Sequence, residues 1–174
     1  MAVLVWAALL LHDWWALPAF AVVAWAWGSA VAVDLAHHEL PDRYTVKMFP
    51  VFIALLVVPA LAHGEWKRLW IAVVVGLVTA FMFFVLAFVH PAGMGLGDVK
   101  LALSTGAAVG WLGGGWGAIR LGLLSLAIAF VLVAMTSLVL LALRRASRAS
   151  EVAFGPFMIA GVLLTPAAAG LLGW

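Results

Sequence analysis

Apolar residues run along this chain in six blocks, at 15–33, 46–62, 69–89, 99–116, 121–143 and 154–172. Short polar stretches at 37–43, 63–68, 90–97, 117–120 and 144–151 separate them. A bilayer-spanning helix needs roughly 20 predominantly apolar residues, so the pattern predicts six main transmembrane helices. The connections are too short to hold a soluble domain, and no internal repeat or low-complexity linker interrupts them. The expected fold is therefore an all-α polytopic helical bundle forming one membrane-embedded domain over residues 1–174. Ahead of it, Met1 to Leu11 is apolar but lacks a basic leading region and a small-residue cleavage site. It reads as a short membrane segment rather than a removed signal peptide.

Composition strengthens this reading. Of the 174 residues 68% are hydrophobic and 9% charged, with a mean hydropathy of +1.24, against about 25% charged in soluble domains. A net charge of +2 from scattered basic residues excludes a nucleic-acid partner on electrostatic grounds. The absence of cysteine excludes a disulfide framework, a thiolate zinc site and a cysteine nucleophile.

Against this background two acids stand out. Asp34 follows the apolar run Gly28-Ser29-Ala30-Val31-Ala32-Val33 and precedes Leu35-Ala36, while Asp98 ends the loop Gly93-Met94-Gly95-Leu96-Gly97 and opens the next apolar block. Ionisable groups among apolar neighbours in a membrane are costly and mark functional sites. Asp34 closes the first full span, two spans follow, and Asp98 opens the next, so both belong to one membrane face. That face carries Arg43, Lys47, Lys100, Arg144, Arg145 and Arg148, whereas the other carries Lys67, Arg68 and Arg120. The positive-inside rule makes it cytoplasmic.

Three alternating glycines before Asp98 free the backbone for left-handed conformations and for close approach of an extended peptide. A plainer reading makes Asp98 the N-cap of the helix that follows. Within that helix, Gly106 and Gly110 are spaced to let a neighbouring backbone approach closely. Two carboxylates sharing a partly desolvated site hold one proton between them as a unit. The ionised member can then deprotonate water while the protonated one donates to a substrate carbonyl.

Here the residues resemble a known family. Asp34 followed by Leu40-Pro41-Asp42-Arg43-Tyr44-Thr45 is similar to the first signature of the prepilin leader peptidases, an aspartate seven residues before a proline. Gly95-Leu96-Gly97-Asp98-Val99-Lys100 looks like their second signature, G-x-G-D-x-K, and Phe154-Gly155-Pro156-Phe157 resembles the F-G-P-F before their last span. The resemblance implies a membrane aspartic endopeptidase that removes the short basic leader of type IV prepilin or pseudopilin precursors at the cytoplasmic face of the inner membrane. It implies Asp34 and Asp98 as the catalytic pair, with Gly95, Gly97, Lys100, Pro41, Gly155 and Pro156 in supporting roles. Many bacterial members carry an N-terminal cysteine-rich extension and methylate the new amino terminus; with neither feature here, peptidase activity alone is expected. No cofactor and no metal are expected. The partners implied are the precursor and the lipid bilayer.

Two alternatives stay open on the sequence: a small transporter or proton-conducting protein using the acids as relay or ion ligands, and a non-catalytic component of a pilus machine. His37 and His38 invite a metal reading, but no H-E-x-x-H is present and the segment runs into Pro41. Asp42 suits a turn after Pro41, and Lys100 is expected to anchor at the interface. Glu39 and Asp42 are candidates for attracting a basic leader.

Overall fold

The computed structural model describes residues 14–37, 41–89, 95–143 and 154–173. Six helices follow one another: α1 (Leu17–His37), α2 (Met48–His63), α3 (Trp66–Val89), α4 (Leu96–Gly113), α5 (Gly115–Ala142) and α6 (Gly155–Leu171). There is no strand among the described residues. The all-α helical fold thus matches the hydropathy pattern, block for helix. Among the described residues three helices, α1, α3 and α5, are long and apolar enough to cross a membrane. The 16-residue α2 rises only about 24 Å, short of the ~30 Å hydrocarbon core. The apolar segment from Met1 to Leu11 lies outside the described residues.

The core sits where α4 is enclosed by its neighbours. Trp111, Leu101, Ala102, Ala107 and Ala108 of α4 are fully buried, alongside Phe52 and Leu56 of α2 and Phe83 of α3. In contrast, α3 and α5 present Phe81, Phe88, Leu123, Val131 and Leu138 outward, as helices facing lipid do. Phe20 of α1 meets Phe52 of α2 edge to face, at 5.3 Å between ring centroids.

Small residues draw α3 and α4 together. A Cβ on Gly106 would lie 2.8 Å from Thr79 Cβ and 2.9 Å from the Val75 carbonyl, and one on Gly110 2.8 Å from Ala72 Cα. Gly76 of α3 does the same in return, where a Cβ would stand 2.6 Å from the Leu103 carbonyl oxygen. The seam expected from the Gly106 and Gly110 spacing is therefore present, and α3 is its other half. At its far end α4 is capped from α3: Arg68 Nε donates to the Trp111 carbonyl at 2.6 Å while its guanidinium lies 5.0 Å from that indole's centroid. That carbonyl is among the last four of α4, which have no partner inside the helix.

One boundary departs from expectation. The turn predicted at 117–120 is helical, and the chain reverses instead at Gly113-Gly114-Gly115. Gly114 and Gly115 have φ of 50° and 48°, a region that side-chain-bearing residues avoid, and the Cβ that Gly113 lacks would collide with the Ala118 backbone. Three glycines in a row turn the chain without polar residues to announce it.

Replacing Gly106 with leucine should destabilise the detergent-solubilised protein by about 1–3 kcal/mol, read as a fall in thermal midpoint. Gly117→Ala, whose Cβ meets nothing within 4 Å, should be neutral or stabilising by up to ~1 kcal/mol. Equal midpoints for the two variants would refute a tight seam.

Candidate active site

Asp34 lies in the last turn of α1 and Asp98 in the first turn of α4. Both acids are buried, at 6% and 7% exposure, and they stand close enough for each charge to act on the other. The two candidates, 64 positions apart in the chain, are therefore brought together by the fold.

Asp98 is held locally by a reciprocal arrangement. Gly95, with extended φ and ψ of −76° and 149°, is the N-cap of α4, which makes Asp98 the third helical residue rather than the cap. Its carboxylate accepts the Gly95 backbone N–H, while its own N–H donates to the Gly95 carbonyl at 3.1 Å. This is the reach-back half of a capping box, completed by a glycine that offers only backbone. The plainer reading of Asp98 as the N-cap does not hold: the cap is Gly95, and the acid reaches back to it from within the first turn. Gly97 lies between them in the first turn, half-buried, and Gly95 itself is exposed.

The segment after Asp34 folds back along α1. Residues 41–47 form consecutive turns in which Tyr44 N–H donates to the Pro41 carbonyl at 3.0 Å and Lys47 N–H to the Asp42 carbonyl at 3.0 Å. The buried Thr45 hydroxyl also donates to Pro41, at 3.3 Å. Tyr44 packs edge to face on Trp25 of α1 at 5.7 Å, with the Arg43 guanidinium 4.5 Å above the tyrosine ring. Asp42 stands in a turn as expected. Lys100 is partly exposed, and its ammonium pairs with Asp42 at 2.5 Å.

A second link joins the acid-bearing helices deeper in the bundle. Trp27 Nε1 of α1 donates to Ser104 Oγ of α4 at 2.9 Å, and both residues are buried. Neither residue stood out in the sequence, where Trp27 is one of ten tryptophans otherwise expected at interfaces. The side chain of His37, together with His38 and Glu39, lies outside the described residues.

Gly155 and Pro156 occupy the first turn of α6. Proline suits that position because its missing N–H has no helical partner there. Before them, Phe154 meets Phe83 of α3 at 5.8 Å and Phe130 of α5 at 5.2 Å, so this motif anchors the start of α6 between two helices. A cavity between α3, α4, α5 and α6 is lined by Thr79, Thr105, Ser125 and Val162, among others. Neither acid lines it, and the hydroxyls of Thr79 and Thr105 turn back to carbonyls of their own helices.

The family model for the type IV leader peptidases matches residues 20–143, most of the chain and both acid-bearing motifs. The chain belongs to the type IV leader peptidase family. Membership makes it a membrane peptidase, in accord with three helices of spanning length. The family match ends before Phe154-Gly155-Pro156-Phe157, so that motif rests on sequence likeness alone. Neither a search of curated proteins nor one of solved structures finds a match.

The buried link between α1 and α4 yields a quantitative expectation. In a double-mutant cycle on unfolding in detergent, Trp27→Phe and Ser104→Ala should couple by about 0.6 kcal/mol, the average for hydrogen bonds between membrane helices. Additive losses would mean that the two side chains do not interact.

Proposed function

We propose that this leader peptidase is an aspartic endopeptidase that removes the leader from type IV prepilin-like precursors, with Asp34 and Asp98 as its acid/base pair. One observation carries the reading: two acids from separate helices are both buried within reach of each other's charge, inside the stretch that the family match covers. Their place in terminal helical turns suits a peptide reaching the membrane edge better than an ion relay, which would favour the midplane.

In this mechanism the ionised carboxylate takes a proton from water as its oxygen attacks the scissile carbonyl carbon. The protonated carboxyl donates to the carbonyl oxygen as negative charge grows there. Collapse of the tetrahedral intermediate breaks the C–N bond, and a carboxyl gives the departing amine its proton. No covalent enzyme intermediate forms. The substrate is the precursor of a pilin or pseudopilin, and cleavage occurs at the cytoplasmic face of the inner membrane. The face bearing the acids also bears Arg43, Lys47 and Lys100, which supports that orientation through the positive-inside rule. No methyl transfer is assigned to this chain.

Asp34→Asn and Asp98→Asn, each matched to the parent in membrane abundance, should each lower leader removal from a pilin-like precursor by on the order of 10²–10⁴-fold, the worth of a general acid or base. Parent-like cleavage by either variant would overturn the pair.

A further inference from the structure

Beyond the acids themselves, we infer that Lys100 is a positioning residue: its ion pair with Asp42 latches the turn after Asp34 to the helix of Asp98 and so sets the separation of the two carboxylates. The inference rests on the acid pair proposed above and concerns what holds that pair in register.

The two acid-bearing helices are held by different neighbours. α4 is packed chiefly against α3 and α5, whereas α1 lies against α2 and α6. What spans the gap between α1 and α4 is side chains. The deeper link, Trp27 to Ser104, lies seven residues before Asp34 and six residues after Asp98, which is about 10 Å below the acids on either helix. A single contact at that depth acts as a pivot and leaves the acid-bearing ends free to splay. The Asp42–Lys100 pair supplies a second point at the acids' own end of the bundle. Two points fix a separation where one does not.

For the latch to act on Asp34, Asp42 must be tied to α1, whose last residue, His37, precedes it by five positions. Its turn is closed by backbone bonds from Tyr44 to Pro41 and from Lys47 to Asp42, and is pinned to α1 through Tyr44 on Trp25. On the other side Lys100 is only two residues beyond Asp98. Positions i and i+2 on a helix point about 200° apart, so the ammonium projects away from the acid pair. Its influence therefore runs through the α4 backbone and not through contact with a reacting atom. The pair is also partly exposed, at 37% for Lys100 and 60% for Asp42, and such pairs contribute little to global stability. Removing it should shift the helix ends without unfolding the bundle.

The cysteine-free chain allows a direct test in membranes with the full-length protein. Asp34→Cys and Asp98→Cys are introduced together and treated with thiol-specific bifunctional reagents of graded span, the readout being the shortest span that links them. Adding Lys100→Ala should lengthen that span or slow linking by roughly tenfold, and exchanging the charges, Asp42→Lys with Lys100→Asp, should restore it. With the acids intact, Lys100→Ala should lower kcat for leader removal roughly tenfold to a hundredfold, the cost of about 1 Å of misplacement, with KM nearly unchanged. The charge-exchanged protein should recover kcat. Unchanged linking in Lys100→Ala, or a loss that charge exchange does not repair in either readout, overturns the latch. Failure of every reagent to link the parental cysteine pair would overturn both the latch and the acid pair beneath it. Normal linking combined with cleavage that survives Asp34→Asn would remove the catalytic reading and leave the latch to be judged by the linking data.

Discussion

Two carboxylates buried within reach of each other's charge repel one another and lose their hydration, and this mutual burial of Asp34 and Asp98 is the constraint that the rest of the bundle answers. The Gly95 backbone N–H and the positive end of the α4 dipole favour the ionised form of Asp98 at its place in the first helical turn. Nothing local could hold a second acid against it, because like charges separate when they are free to. The opposition must come from packing elsewhere, and most of the fold can be understood as supplying it.

α4 is the fixed member of the pair. Its Gly106 and Gly110 let α3 close to backbone contact, Leu101, Ala107 and Trp111 are sealed within the core, and Arg68 caps its far end. In lipid, where apolar surface gives helices little reason to associate, close packing and polar links must hold them. α1 is joined to it more sparsely. It reaches α4 through Trp27 deep in the bundle and through the turn that carries Asp42 near the acids.

Much of this was legible in the hydropathy pattern, and the parts that were not have a common cause. Blocks of apolar residues locate helices in a membrane chain because backbone groups must be satisfied internally there, and parity between spans put Asp34 and Asp98 at one end. The Gly106 and Gly110 spacing told of a close neighbour without naming α3. By contrast, the reversal at Gly113-Gly114-Gly115 is written in backbone freedom rather than polarity, so the polar residue Arg120 drew the expected turn too far along the chain. The position of Asp98 past the cap, in the first turn of α4, turned on a glycine cap that has no side chain to signal it. Trp27 with Ser104 and Asp42 with Lys100 join residues 77 and 58 positions apart, and no periodicity within one helix encodes such partners.

The central claim is that the two acids act as one unit, and the most direct measurement compares single-turnover cleavage of a pilin-like precursor by Asp34→Asn, Asp98→Asn and the double variant, with enzyme in excess. Groups that work as a unit are strongly non-additive, so the double variant should be no slower than either single one. If each substitution instead contributes its own separate loss, and the double variant falls by their product, the acids act independently and the shared site described here is wrong.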